Sequence, residues 1–174
     1  MIRQAILADA PEIARLLTML GHPTTAEAVA SRWDEWLSGD SWALVACLDD
    51  GTLTGVATLH RMLVLHRPLP VGRITALVVD PSVRGTGLGR KLVAAAEDFL
   101  TVEGCGLLEI TSNTRLANAH EFYEHLEYER TSIRFAKRLT RELSDRPAAE
   151  PIAATGVTLD ETGQSENFRS APRG

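Results

Sequence analysis

The chain has 174 residues, 44% of them apolar, and a formal net charge of -5, enough length and apolar content for one globular domain with a core and an appended tail. The acidic balance excludes a nucleic-acid-coating surface, which needs a basic excess or a basic face. No apolar run approaches the ~20 residues of a membrane span, and Met1-Ile2-Arg3-Gln4 opens no signal peptide, so a soluble cytoplasmic protein is expected.

Ile2 to Leu7 reads as a short first strand. Asp9-Ala10-Pro11-Glu12 then has the form of a capping box with proline in the first turn, and Ile13, Leu16, Leu17 and Leu20 follow at helical spacing before Gly21. A second box, Thr24 with Glu27, precedes Val29, Trp33, Trp36 and Leu37, again at helical spacing. That stripe predicts tryptophans packed on a sheet, in preference to tryptophans lining a cleft.

Trp42 to Leu48 and Leu53 to about Val64 read as two strands joined by the hairpin signal Asp49-Asp50-Gly51-Thr52. Leu65 to Pro70 is a proline-rich loop, and Ile74 to Val79 is apolar on both faces, as a central buried strand is. Asp80-Pro81 ends it. After a glycine-rich turn, Leu88, Leu92, Val93, Ala96, Phe99 and Leu100 mark one face of a helix. Leu107 to Thr111 makes another strand, Ala119, Phe122, Tyr123 and Leu126 another helix, and Ile133, Phe135 and Leu139 a last strand, Thr131 to Leu139, that could pair across a dimer. The strands flanking the glycine-turn helix form a parallel βαβ unit. Cys47 and Cys105 are expected as separate buried thiols. From Ser144 onward polar and small residues dominate, so a domain over 1–143 and a disordered tail over 144–174 are expected.

The turn between strand and helix carries the chemistry. Gly85, Gly87 and Gly89 allow a tight bend and close approach of a ligand to backbone N–H groups at a helix N-terminus, a setting for phosphate. A Walker A loop fails, since Arg90 stands where its second glycine belongs. A dinucleotide fingerprint starts at Gly85-x-Gly87, but its third glycine is again Arg90; Glu109 would be its ribose-binding acid. The pattern [QR]-x-x-G-x-[GA] is met in full by Arg84-Gly85-Thr86-Gly87-Leu88-Gly89.

With that turn, its strand and the Ala119 to Glu124 helix, the chain resembles the GNAT N-acetyltransferases over roughly residues 2 to 139. The resemblance implies an α/β (α+β) fold: a mixed, mostly antiparallel central sheet with a parallel, splayed strand pair, flanked by about four helices. It implies acetyl-coenzyme A as co-substrate and direct transfer of the acetyl group to an amine in a ternary complex. It implies that Leu77, Val78 and Val79 pair with the pantetheine arm and that Arg84, Gly85, Thr86, Gly87, Leu88, Gly89 and Arg90 hold the pyrophosphate. Tyr123 is then the general acid for the departing thiolate, and the N–H of Val78 the oxyanion donor. No carboxylate lies between Arg73 and Asp80 where relatives carry a base, so His60 or His66 acting through water is the candidate. The position of a coenzyme-binding asparagine, seven residues before the tyrosine, is Leu116 here, leaving Asn113 or Asn118 to replace it.

Ser112-Asn113, Ala119-His120, Phe122-Tyr123, Arg134 to Lys137, and Leu59-His60 to Leu65-His66 look in particular like aminoalkylphosphonate N-acetyltransferases. The acceptor's anionic group would then meet Arg61, Arg67 or Arg73. Acceptor choice is expected in the first two helices and the loop from Leu65 to Gly72. His120 and His125 are five apart, a poor spacing for a helical metal pair, and no metal site is expected. The expected partners are acetyl-coenzyme A and a small amine, with the protein a monomer or homodimer. A non-catalytic acyl-coenzyme A sensor, suggested by the missing strand carboxylate, and a dinucleotide-binding protein remain as alternatives.

Overall fold

The computed structural model describes residues 1–137. A compact unit spans Met1–Arg134. Its centre is a five-stranded sheet in the order β1-β2-β3-β4-β5, formed by Ile2–Gln4, Ser41–Cys47, Leu53–Met62, Val71–Val79 and Leu107–Ile110. The first three pairings are antiparallel and β4 with β5 is parallel, the mixed, mostly antiparallel sheet expected from the sequence. The helices are α1 (Ala10–Met19), α2 (Ala26–Ala30), α3 (Trp33–Ser38), α4 (Leu88–Val102) and α5 (Ala117–Glu124).

Alternation along the strands supplies two cores. On one face Ala43, Val45, Val56 and Val78 meet Ile13 and Leu16 of α1 and Trp33 of α3. On the other, Leu44, Ala57, Leu59 and Ile74 meet Leu92, Val93, Ala96 and Leu100 of α4, with Phe122 of α5 packed against them. The approach of α4 depends on two glycines in the sheet. A Cβ on Gly55 would stand 2.8 Å from Leu92 Cδ1 and 3.1 Å from the Val78 carbonyl oxygen, and one on Gly72 would stand 2.8 Å from Leu100 Cδ1.

Several local expectations change. Asp9 does not cap α1 with its side chain; its carboxylate takes two bonds from Arg3, at 2.7 and 2.8 Å, and one from the Ile6 N–H. A guanidinium fork outcompetes a single helix-end N–H for a carboxylate. The second expected helix is broken into α2 and α3, and its cap is Thr25, which accepts from Ala28 N at 3.2 Å, in place of Thr24. The central strand begins at Val71. The last strand is not formed over its described part: 131–137 has no regular secondary structure, and Ile133 and Phe135 are exposed. An alternating run becomes a strand only where a ladder partner takes its backbone groups. Leu139 and the boundary at 143 lie outside the described residues.

Gly55→Ala is expected to cost roughly 1–3 kcal/mol, because the carbonyl of Val78 cannot move aside without disturbing the ladder. A thermal melt followed by circular dichroism should show a midpoint lower by several degrees.

Candidate active site

Strand β4 pairs with β3 from Val71 to Val79 but with β5 only from Val71 to Ile74. β5 stops at Ile110 because the chain turns away around Asn113, whose Oδ1 accepts from Arg115 N at 3.0 Å and whose carbonyl accepts from Leu116 N at 3.0 Å. Between the separated strand ends lies a cleft of about 830 Å³, bounded by Leu77 to Val79, the glycine turn, the start of α4 and the N-terminal part of α5.

The ladder decides which N–H groups of β4 face that cleft. Asp80 N donates to Thr54 O at 2.8 Å, which makes Gly55↔Val79 a pair without mutual hydrogen bonds and Val56↔Val78 a mutually bonded one. The N–H of Val78 is therefore committed to β3 and cannot serve as the oxyanion donor expected from the sequence. Backbone direction alternates, so Leu77 and Val79 present their groups on the other side. The carbonyl of Val79 accordingly accepts from Arg84 Nε at 3.3 Å.

The turn is held by its own hydrogen bonds. Asp80 accepts from Ser82 N and Ser82 Oγ, at 3.0 and 2.7 Å, and Thr86 Oγ1 donates to Val83 O at 2.7 Å. Gly85 and Gly87 have φ of +79° and +80° with open space where a Cβ would stand, a conformation that β-carbons disfavour. Gly87 caps α4 without a side chain, and the helical bond at this end is Lys91 N to Gly87 O. The N–H groups of Leu88, Gly89 and Arg90 precede it and need other partners. Gly89 serves packing as well as access: its Cβ would meet Phe122 Cζ at 3.4 Å, so its absence lets α5 sit against the helix start.

Most of the residues expected at the coenzyme line this cleft: Leu77, Val78, Val79, Arg84, Gly85, Gly87, Leu88, Gly89, Arg90, Asn118 and Tyr123. Two do not. Thr86 turns its hydroxyl back to Val83, and Asn113 is occupied in the turn that ends β5. Tyr123 is half-buried beside Phe122 and Tyr128, with ring centroids 5.2 and 6.0 Å away, and burial raises its phenol pKa. The phenol therefore stays protonated at neutral pH. Tyr128 carries no local signal in the sequence; its OH donates to Glu97 Oε1 at 2.8 Å and its pKa is also raised, by burial first and by Glu97 second.

His60 is not at the cleft. It sits in register with Ser41 and Arg73, four residues along β3 from Val56, and its Nδ1 shares a 2.9 Å hydrogen bond with Ser41 Oγ. His66 lies in the turn after β3, also outside the lining. Arg61 binds Asp40 at 3.1 Å and the Glu103 carbonyl at 3.1 Å; Arg73 binds Glu109 at 2.7 Å. Those two arginines are engaged away from the cleft, and Glu109 is not available to a ribose.

A second cavity, about 640 Å³, lies on the face covered by α1, α2 and α3. Its inner side is made by a bulge in β4: Thr58 opposes Ala76 and Leu59 opposes Ile74, so Thr75 is the extra residue. The bulge puts Thr75 and Ala76 on the same cavity, while Leu77 lines the first cleft. The two spaces thus abut across one peptide unit. The tryptophans do both things considered for them: Trp33 is buried in the core, and Trp33 and Trp36 also line this cavity.

One link between the two sides has no local signal in the sequence. Arg15 of α1 reaches Asp80, 65 positions away, at 2.7 Å, and also binds Glu12 at 3.0 Å and the Leu53 carbonyl at 2.9 Å. It ties the helix beside the second cavity to the residue that opens the glycine turn. Asp80 is held at about 2, chiefly by the Arg15 hydrogen bond and then by Ser82.

The acetyltransferase (GNAT) family model matches residues 10–128. The aminoalkylphosphonate N-acetyltransferase of Salmonella typhimurium is 36% identical over 92 residues, 53% of this chain and 60% of that protein, so the match spans less than two thirds of that relative. The aminoglycoside N(6')-acetyltransferase type 1 of Stenotrophomonas maltophilia is 29% identical over 133 residues, 75% of this chain and 86% of that one. Among solved structures, an acetyltransferase of Trypanosoma brucei superposes with a TM-score of 0.70 at 26% identity, covering 80% of this chain and 99% of the other.

The Asp80 carboxyl, depressed below its ordinary 3.8, contributes stability above that value that is lost as pH falls towards 2. Asp80→Asn should therefore lower the thermal midpoint at pH 5 to 7, and the gap between variant and parent should narrow below pH 4. A gap independent of pH would mean the carboxylate charge is not what holds the turn.

Proposed function

The chain belongs to the GNAT acetyltransferase family, and on that footing we propose that it moves an acetyl group from acetyl-coenzyme A to a primary amine of a small molecule by direct attack in a ternary complex. The observation that carries this reading is the stretch of β4 from Leu77 to Val79, unpaired on its β5 side, running into a turn with two left-handed glycines and uncapped helix N–H groups. An extended amide-containing arm can pair with the strand as an added strand does. A pyrophosphate suits the helix start, where N–H groups and the positive end of the dipole converge. Arg84 and Arg90 line the same end and supply countercharge.

In this proposal the amine nitrogen attacks the thioester carbonyl from the second cavity, where Ala76 and Leu77 divide the two spaces. The N–H of Leu77, outside the β3 ladder and next to the bulge, stabilises the developing oxyanion. As the carbon–sulfur bond breaks, Tyr123 donates its proton to the thiolate, a role that suits a phenol kept neutral by burial. No carboxylate or imidazole lines the coenzyme cleft among the described residues. The amine proton therefore leaves through water in the second cavity, whose lining includes the exposed His22 and Glu35.

The identity to the Salmonella typhimurium enzyme favours a second, finer reading, an aminoalkylphosphonate acceptor. It calls for a cation at the acceptor, and Arg32 is the arginine that lines the second cavity.

Calorimetry with acetyl-coenzyme A, coenzyme A and NAD, followed by thiol release across a panel of amines, tests the proposal. Binding of acetyl-coenzyme A without turnover on any amine would favour a sensor, and no binding at millimolar concentration would defeat both. Tyr123→Phe should lower kcat by about 100-fold or more while leaving acetyl-coenzyme A affinity within twofold. Because its pKa is raised above 10, the loss of activity due to Tyr123 ionisation should fall above pH 10. Gly87→Ala should weaken coenzyme A binding about tenfold, from a left-handed strain of about 1–2 kcal/mol, measured by the same calorimetry.

A further inference from the structure

The lining of the second cavity narrows the acceptor. Its walls are Ile13, Leu17, Val29, Trp33 and Trp36, all apolar, and its inner side adds Ala43 and Ala76. The two indoles lie 5.9 Å apart at 59°, a wedge against which a ring packs edge to face. The polar groups form two sets: half-buried Thr58 and exposed Thr75 stand on the sheet, and Thr24 with the exposed His22, Arg32 and Glu35 belongs to the helical layer and its loop.

The threonine pair supplies the polar atoms at the sheet side of the cavity. Their hydroxyl oxygens are 2.8 Å apart, and Thr75 Oγ1 lies 3.3 Å from the Thr58 carbonyl, to which it can donate. Either hydroxyl can donate in the 2.8 Å contact, and in both arrangements the pair keeps lone pairs that can accept from a ligand N–H.

The lining weighs against two alternatives. A polyamine or aminoglycoside would bring several ammonium groups to a lining with a single carboxylate, Glu35, leaving the rest without a counter-ion among mostly aliphatic walls. An aminoalkylphosphonate, the finer reading drawn from sequence identity, would pair with Arg32 but would leave the apolar walls empty, so the lining opposes it. An alkylammonium approaching beside Trp36, by contrast, is favoured by the indole face before it loses its proton.

We infer that the acceptor is a primary monoamine borne on a ring-sized apolar body, with the body on the Trp33–Trp36 wedge and the amine directed to the Thr58–Thr75 pair. The inference rests on the reading of this cavity as the acceptor side of an acetyltransferase, and it names the class of molecule that side selects.

The test uses the full chain with 2-phenylethylamine, 2-aminoethylphosphonate and spermidine. Each amine is titrated by tryptophan fluorescence without coenzyme, and each is then assayed for N-acetyl product with acetyl-coenzyme A. We expect 2-phenylethylamine to quench the fluorescence and to exceed both others in kcat/KM by at least 100-fold. Trp36→Ala should raise its KM more than tenfold with acetyl-coenzyme A affinity within twofold, and Trp36→Phe, which keeps an aromatic wall, should restore KM to within threefold of the parent. Preferred acetylation of the phosphonate or the polyamine, or an unchanged KM in Trp36→Ala, overturns the acceptor class while leaving the acetyltransferase reading intact. Failure to bind acetyl-coenzyme A would count against the donor reading alone, and the fluorescence titration would still decide the acceptor class: no quenching by 2-phenylethylamine overturns it.

Discussion

Strand β4 is bonded on both sides only as far as Ile74. Beyond that point β3 continues to hold one side, while the other loses its neighbour because the Asn113 turn draws the chain off towards α5. An unpaired backbone at the centre of a sheet is costly unless water or a ligand takes its groups. The same strand carries the extra residue Thr75 at this point, which shifts the side-chain alternation and opens the opposite face into the second cavity. Two cavities thus arise from one irregular stretch of backbone, and Ala76 and Leu77, neighbours in the chain, belong one to each.

The surrounding architecture keeps that stretch in place. The α4 helix is brought down on the sheet at Gly55 and Gly72, so the start of the helix and its turn are set by core packing through Leu92 and Leu100. Phe122 against Gly89 positions α5, and with it Tyr123, along the far wall of the cleft. Arg15 joins α1 to Asp80 and to the Leu53 carbonyl. An exposed ion pair would contribute little, but the Asp80 side chain is only 16% exposed and the guanidinium also holds a main-chain carbonyl. The helix beside the second cavity and the glycine turn are therefore braced to each other as well as to the sheet.

Much of this was legible in the residues. The buried strand, the glycine turn and the stripe of α4 follow from apolar runs and glycine spacing, which are local properties, and the cleft assembles most of the residues read from them. The hairpin at Asp49 to Thr52 is likewise local, closed by Gly51 at φ +86° and by Thr52 N on Asp50. Asp9 leaves the cap because Arg3 competes for its carboxylate, and a capping motif contains only Asp9 and the start of α1. The run from Thr131 alternates as a strand does, but alternation says nothing about whether a ladder partner is present.

What the sequence determined by itself is therefore most of the elements and the conformation of the turn, because periodicity and glycine conformation are carried by neighbours in the chain. What only the tertiary structure decided is which backbone groups are free and which side chains meet. The register with β3 removes the Val78 N–H and exposes those of Leu77 and Val79. Long-range packing brings Trp33 and Trp36 over Thr75 and Ala76, and it carries His60 away to Ser41. These are pairings between residues tens of positions apart, and their energies depend on a geometry that no local window contains.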